Sequence, residues 1–428
     1  MSTAAPAGNE TGLLARTSSA LRRTTGESLA VWIAVALLNL ITQVIFCRNL
    51  HPGEFGTLNS IAGVILLMTV PMHALHFAFG NFSGDRRESL RSALLVATET
   101  FTWFWAALSC VLIFLVLTCI DTPRFSLQLF ALLSVLVALG GWFSRAICIG
   151  SGRLRVWATL LMTAAVARAL AAALVVPGEP FAEGGLAAFL IGGFVLLAPA
   201  MRSRETDFAT RLAACRAALD RDFLLFAGAA ASVFLAMFLF SSADRIVSQV
   251  WLEPAGNMHA SQLDPRLFDA YQTAGLLGRG LLWGTQPLLW ALYLDRSRLP
   301  RTNTRALTFF WLHLAALVLG GIVLALLAPV LAQLFCGENF TLTRTFIPTF
   351  AAVMLPLGLL QALGIFALAS RRWPECFTLG GCGVAYAFAL FFLGHRPEVM
   401  LSYMFGGALI SLMAVLAVGV VRWGRRQP

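Results

Sequence analysis

The sequence predicts an all-α polytopic membrane protein with twelve transmembrane helices in two six-helix bundles. Of its 428 residues, 58% are hydrophobic and only 12% are charged, whereas soluble domains carry about 25% charged residues. The mean hydropathy is +0.79, and the apolar residues form blocks of about 20, the length of a bilayer-spanning helix. This composition excludes an ordinary soluble enzyme.

The twelve predicted spans are apolar stretches bounded by charged or turn residues. They lie at 28–46, 57–79, 93–119, 126–149, 156–176, 185–201, 223–243, 268–294, 306–335, 345–369, 376–393 and 398–421. The first is too long for a signal-peptide core and is followed by Cys47, Arg48 and Asn49 instead of a small-residue cleavage site, so we expect it to be retained.

The predicted domains follow from these spans. Residues 1–27 form a disordered cytoplasmic N-terminus, 28–201 the first six-helix bundle, 202–222 a cytoplasmic linker, 223–421 the second bundle and 422–428 a cytoplasmic tail. Transporters are commonly built from such duplicated halves.

The arginines predict the orientation. The net charge is +10, and every basic residue is an arginine. With both termini in the cytoplasm, the inside segments hold 23 arginines and the outside segments six, as the positive-inside rule requires. The positive charge therefore reports topology, and we expect no nucleic-acid partner.

Two arginines lie within spans. Arg279 is near the middle of the eighth span and Arg168 is in the fifth. A guanidinium at this depth costs several kcal/mol unless it faces a cavity or a partner. Gln272, Arg279 and Gln286 share one helical face, and Trp283 follows Arg279 by one turn. This stripe predicts either a cavity that binds an anion or a structural arginine paired with an acid from a neighbouring helix.

Other polar residues in spans are weaker candidates. Glu99, in the third span, is a candidate for the coupling ion, for pairing with an arginine or for snorkelling to the interface. Asn39 and Gln43 share one face of the first span. They favour interhelical hydrogen bonding, with substrate contact as the alternative.

No cofactor, metal or catalytic site is predicted. His73 and His76 lack further ligands nearby, and no two of the eight cysteines form a CxxC motif. Only Cys47 and Cys336 fall near the predicted outer face. Enzyme signatures are missing, and His259 with Asp264 is the only plausible outside catalytic pair, which leaves a membrane glycan ligase or polymerase as a minor alternative.

Short motifs carry a family resemblance. The exit from the first span resembles the R-x-L-x-P-x-E-F/Y-G motif of polysaccharide-exporting members of the multidrug, oligosaccharidyl-lipid and polysaccharide (MOP) superfamily. It reads Arg48-Asn49-Leu50-His51-Pro52-Gly53-Glu54-Phe55-Gly56.

The second half carries two further elements of that family. The exit Ser242-Ala243-Asp244-Arg245 resembles its x-x-D-R, and the start Tyr271-Gln272-Thr273-Ala274 resembles its Y-x-x-A. The interval from Arg245 to Tyr271 is longer than usual for the family, so we expect an insertion at about 253–265.

The resemblance implies an O-antigen flippase-like protein of the bacterial inner membrane. Such proteins move a polyprenyl-diphosphate-linked oligosaccharide between leaflets by alternating access of two bundles. The implied partners are this substrate, membrane lipids and a glycan polymerase or chain-length protein, and Arg279 and Arg168 are the predicted diphosphate contacts. The alternative is an ion-coupled exporter of small molecules, of the multidrug or major-facilitator type.

Overall fold

The computed structural model describes residues 30–31, 33–83, 88–119, 124–150, 153–200, 221–252, 265–298, 303–337, 340–394 and 396–424. These residues are all-helical. In chain order, the helices are α1 (Ile33–Asn49), α2 (Glu54–Ser83), α3 (Glu88–Cys119), α4 (Phe125–Gly150), α5 (Leu154–Val175), α6 (Ala182–Leu196), α7 (Arg221–Leu252), α8 (Pro265–Arg298), α9 (Asn303–Leu326), α10 (Ala328–Cys336), α11 (Phe340–Ala369), α12 (Trp373–Leu393) and α13 (Pro397–Gly424).

Nine of the described helices are long and apolar enough to cross a membrane, namely α2 to α5, α7, α9 and α11 to α13. The shorter α1 and α6 are also apolar. Helix α8 has ample length but is not among the nine, because Arg279, Gln272 and Gln286 interrupt its apolar residues. Helices therefore lie at all twelve predicted positions, and the full count of twelve spans stays a prediction.

The predicted ninth span is interrupted in the structure. Helix α9 ends at Leu326 and α10 begins at Ala328, with Pro329 in its first turn. Proline lacks an N–H and is tolerated where a helix begins, so it marks a new start within an apolar run. The stretch 306–335 is thus a long helix followed by a short one.

The predicted seventh span is too short at its end. The charged pair Asp244 and Arg245 was expected to leave the membrane after residue 243, but α7 continues as one helix to Leu252. Both side chains are buried within it. Arg245 is therefore a helix residue and not the loop residue that the sequence predicts, while the orientation stays a prediction.

The helix contacts connect the N-terminal helices, α1 to α6, with the C-terminal helices, α7 to α13. Helices α2 to α6 pack on one another, as do α7 to α13, but α2 also packs along α7 and touches α8. The division into two bundles stays a prediction, because α2 packs as extensively on α7 as on its own neighbours.

Alternate helix connections meet at one end of the molecule. We call this the arginine-poor end, because the sequence places few arginines in these connections. Backbone N–H of His51 donates to the carbonyl of Pro180 at 2.9 Å, and Arg124 binds Glu54 at 2.8 Å and Glu183 at 3.1 Å. The opposite end, which we call the arginine-rich end, is the predicted cytoplasmic one.

The predicted N-terminal segment 1–27, most of the linker 202–222, the end of the tail and most of the expected insertion, including His259 and Asp264, lie outside the described residues.

Candidate functional site

The first motif closes the arginine-poor end of the molecule. Gly53 takes a positive φ of 89° to start α2, and its N–H and that of Gly56 donate to Asp269 of α8, at 2.7 and 2.8 Å. A carboxylate in this position satisfies N–H groups that have no partner within α2 and interacts favourably with the helix dipole. A C-terminal helix thereby caps an N-terminal one.

Other residues of this motif hold neighbouring segments. Glu54 accepts from the Arg124 guanidinium at 2.8 Å and from the N–H of Ala182 at 2.9 Å. Arg48 donates to the carbonyls of Leu334 and Gln333 in α10, at 2.7 and 3.3 Å. The motif therefore joins α1 and α2 to both α8 and α10.

The D-R and Y-x-x-A motifs form a buried charged cluster between α7 and α8. Arg279 forms a salt bridge with Asp244 and donates its Nε–H to the carbonyl of Ser241. Tyr271 donates to the same carboxylate at 3.1 Å. Arg279 and Asp244 are both fully buried, so the arginine has the acidic partner from a neighbouring helix that a structural role requires.

Arg245 completes this cluster and differs from Arg279 in its pairing. The residue is 2% exposed, and its guanidinium lies 5.4 Å from the ring centre of Trp283. Its Nε and one Nη have no hydrogen-bond partner in the described part of the chain. The described cluster thus contains two guanidinium groups, those of Arg245 and Arg279, and one carboxylate, that of Asp244. A buried charge without compensation costs several kcal/mol, so Arg245 is the residue for which an anion would be most favourable.

The backbone of Arg245 is fixed at the junction with α2. Its carbonyl accepts from Ser60 of α2 at 2.7 Å and from Gln272 at 3.2 Å. Gln272 also donates to Ser248 at 2.7 Å. The predicted site residue Gln272 therefore positions Arg245, while its own Oε1 has no partner within the described ranges.

One face of α8 is open beside Arg245. Trp283 is 38% exposed, and a Cβ at Gly280 or Gly284 would meet nothing within 4 Å. Gln286 is half-buried on the same stretch. This open face beside Arg245 is a candidate surface for a ligand.

Arg168 lies among the N-terminal helices. Its Nη1 donates to Asn39 of α1 at 3.2 Å, its guanidinium lies 4.8 Å from the ring centre of Phe189, and its buried Nε has no partner. Gly192 gives it room, since a Cβ there would lie 2.9 Å from the Cβ of Arg168. No carboxylate pairs with it among the described residues.

Gln43 and Glu99 are the remaining predicted residues. Gln43 is half-buried and its Oε1 has no partner. Glu99 is buried in α3, which argues against snorkelling. The structure thus brings together Gln272, Arg279 and Trp283 in one place and Arg168 with Asn39 in another.

Sequence reasoning missed Arg245 and Asp244 as site residues because a charged pair normally ends a span. The sequence does indicate that the helix continues beyond that pair, because the apolar run resumes there. It does so with Ile246, Val247, Val250, Trp251 and Leu252.

The two histidines of α2 lie beside aromatic rings. No group of three or more His, Cys, Asp or Glu side chains able to hold a metal occurs in the described part of the chain. His73 instead packs on Trp142 and Phe234, with ring centres 4.2 and 4.4 Å away.

Solved structures identify the fold. An inward-facing multidrug resistance MATE family transporter of the MOP superfamily matches with a TM-score of 0.58 at 14% identity, over 93% of this chain and 97% of that one. The lipid II flippase MurJ, in an inward closed conformation, matches with a TM-score of 0.64 at 12% identity, over 91% and 87%. The fold is that of the MOP superfamily transporters.

A third MOP-type neighbour is the eukaryotic MATE transporter AtDTX14, with a TM-score of 0.61 at 13% identity over 95% of this chain and 96% of that one. No protein-family model matches the sequence, and no curated protein matches it. The MOP neighbours are transporters and flippases, not enzymes, and they cover nearly the whole chain.

Proposed function

We propose that this protein is a flippase for a polyprenyl-diphosphate-linked oligosaccharide and works by alternating access in the bacterial inner membrane, with both termini in the cytoplasm. The observation that carries the proposal is the buried guanidinium of Arg245, which has no carboxylate of its own among the described residues. Its proposed partners are the lipid-linked substrate, membrane lipids and a glycan polymerase or chain-length protein.

The charge of the cluster favours an anionic cargo. Arg279 neutralises Asp244, so Arg245 remains as one positive charge in a low-dielectric surrounding. A diphosphate must lose its hydration to cross the membrane, and charge-assisted hydrogen bonds from a guanidinium offset that loss. Arg245 is therefore our leading diphosphate contact, and Arg279 acts through the Asp244 pair that holds α7 against α8.

The open face of α8 supplies space and a stacking surface. The guanidinium of Arg245 lies over the ring of Trp283, and Trp283 is exposed on this face of α8. Aromatic side chains suit both sugar rings and polyprenyl chains, since they are large and apolar. Gln286 is placed for hydrogen bonds to the glycan.

A second contact is proposed at Arg168, with Asn39 and Gln43. Arg168 and Gln43 each have a buried polar atom without a partner among the residues that the structure describes. We propose that these groups bind the diphosphate head group at a later stage of transport, or an acidic sugar of the glycan. Glu99 is the proposed coupling-ion residue because it is an acid buried within a span.

The alternative is an ion-coupled exporter of small molecules, since MATE transporters share the fold. An exporter of cationic drugs would place unpaired acids in its site. The described cluster instead has an excess of arginine, which would repel such a cargo.

The test is transport in sealed proteoliposomes that contain either a fluorescent lipid-linked oligosaccharide or a cationic dye. For Arg245→Gln, we expect flipping of the oligosaccharide to fall about 10- to 100-fold, the effect of losing roughly 1.5–3 kcal/mol of charge-assisted bonding. The melting temperature should stay equal or rise, because the substitution removes an uncompensated buried charge.

The matched control is Arg344→Gln, since Arg344 is exposed on α11; its transport should match that of the native protein. Full flipping by Arg245→Gln would refute the assignment of Arg245. Export of the dye with no movement of the oligosaccharide would refute the flippase.

A further inference from the structure

Two cysteines from distant parts of the chain meet at the arginine-poor end. Cys47 lies near the end of α1, and Cys336 is the last residue of α10. Their sulfur atoms are 3.5 Å apart, and both residues are partly exposed. Among the described cysteines, this is the one pair whose sulfurs are in contact.

The geometry points to a redox-modified site: we propose that Cys47 and Cys336 form a reversible disulfide that locks the arginine-poor end closed. A disulfide needs an S–S distance of about 2.05 Å, so the sulfurs must approach by about 1.5 Å. Gly337 follows Cys336 with a positive φ of 58° and open space around it, which lets the end of α10 adjust.

The surroundings of the pair favour reaction. Thr273 lies 3.4 Å from the sulfur of Cys47, and Thr343 lies 3.2 Å from that of Cys336. Hydroxyl groups at these distances donate to a thiolate, the form that attacks a disulfide. If the arginine-poor end is the outer one, it faces an oxidising compartment, where disulfides form and persist.

The chemistry is a two-step exchange with a disulfide oxidant, either a small molecule or a protein. One cysteine thiolate attacks the oxidant, which releases one thiol and leaves a mixed disulfide. The second thiolate then attacks the cysteine sulfur of that mixed disulfide and releases the second thiol. Two cysteines are oxidised, and one oxidant disulfide is reduced to two thiols.

The bond would join an N-terminal helix to a C-terminal one. Arg48 beside Cys47 already binds two carbonyls of α10, and Asp269 caps α2 nearby. Alternating access requires this end to separate in one state. A covalent link between α1 and α10 would therefore stop the cycle with this end closed. The lock rests on the proposed alternating-access function, but the formation of the bond does not.

The first experiment detects the bond without substrate. The full-length protein is treated with oxidised glutathione, free thiols are alkylated, and peptides are analysed by mass spectrometry without reduction. We expect a peptide linked through Cys47 and Cys336. Hydrogen–deuterium exchange at 48–56 and 333–337 should slow in the oxidised protein and recover with dithiothreitol. Absence of the linked peptide would overturn the proposal.

The second experiment measures transport in proteoliposomes. Oxidation should reduce the rate at least tenfold in the native protein but have no effect in Cys47→Ser or Cys336→Ser. Cys382→Ser, in α12, is the matched control and should remain sensitive to oxidation. Transport that continues at full rate with the bond formed would overturn the lock. If neither cargo moves even in the reduced protein while the bond forms, the proposed function fails and the redox site stands.

Discussion

At the scale of single residues, charge pairing separates the two arginines of the C-terminal cluster. Both guanidinium groups lie over an aromatic ring and have a nitrogen without an acceptor among the described residues, but only Arg279 has a carboxylate partner there. A long side chain can serve either structure or binding, and its sequence position does not distinguish the two. The distinction comes from the partner that each guanidinium faces.

A double-mutant cycle tests the structural role of Arg279. Arg279→Gln breaks the salt bridge of Asp244 and leaves it the Tyr271 hydroxyl as hydrogen-bond partner, so it should destabilise the protein by about 3–5 kcal/mol. The double variant with Asp244→Asn removes both charges, so we expect most of the melting temperature to return.

Transport by the double variant decides the role of Arg279. Substantial flipping of the oligosaccharide would show that Arg279 acts through the pair. A double variant that is folded but inactive would instead support Arg279 as a direct substrate contact.

At the scale of helices, close contact between α2 and α8 depends on Gly56. A Cβ there would lie 2.2 Å from the ring of Phe268, which is fully buried. The small residue of the first motif is therefore required by packing across the two groups of helices. The preceding Gly53 serves a different purpose, the positive φ that starts α2.

Gly56→Ala should lower stability by about 1–3 kcal/mol, the usual effect of overpacking. The measurement is the midpoint of thermal unfolding in detergent. Gly381→Ala is the control, since a Cβ there meets nothing within 4 Å. Adding Phe268→Leu to Gly56→Ala should recover part of the loss; equal midpoints for Gly56→Ala and Gly381→Ala would contradict the close contact.

Helix positions were predictable because the bilayer fixes the length of an apolar run, and the motif residues were predictable because they stand next to each other in sequence. The helix break before Ala328 was not predictable, because Pro329 lies in an apolar stretch that reads as one span by hydropathy. The burial of Arg245 depends on Trp283 and Ser60, which are distant in sequence. Pairing across helices leaves no local pattern.

At the scale of the whole molecule, contacts between N-terminal and C-terminal helices occur at both ends. Asp269, Arg48 and Cys47 connect them at the arginine-poor end. At the arginine-rich end, the ring of Phe77 packs against Phe226 and Tyr293, with ring centres 5.8 and 4.7 Å apart. Polar contacts thus hold one end and aromatic contacts the other, so different substitutions should open each.

Asp269→Asn should favour opening of the arginine-poor end. It removes the negative charge that caps α2, an effect of about 0.5–2 kcal/mol. We expect hydrogen exchange at residues 53–57 to accelerate about 2- to 30-fold. Asp222→Asn, an exposed acid at the start of α7, should leave this exchange unchanged. If hydrogen exchange at residues 53–57 is identical in Asp269→Asn and the native protein, the carboxylate of Asp269 does not stabilise the closed state of this end.

The polarity of α8 also has a consequence for biogenesis. A helix with Arg279 near its middle gains little by entering lipid alone, whereas α7 is strongly apolar except for its Asp244–Arg245 pair. If α7 and α8 enter as a hairpin, Asp244 and Arg279 neutralise each other during insertion. The salt bridge that positions the candidate site would then also lower the free-energy cost of inserting α8 into the membrane. In that case α7 would remain beside the translocation channel until α8 has been synthesised.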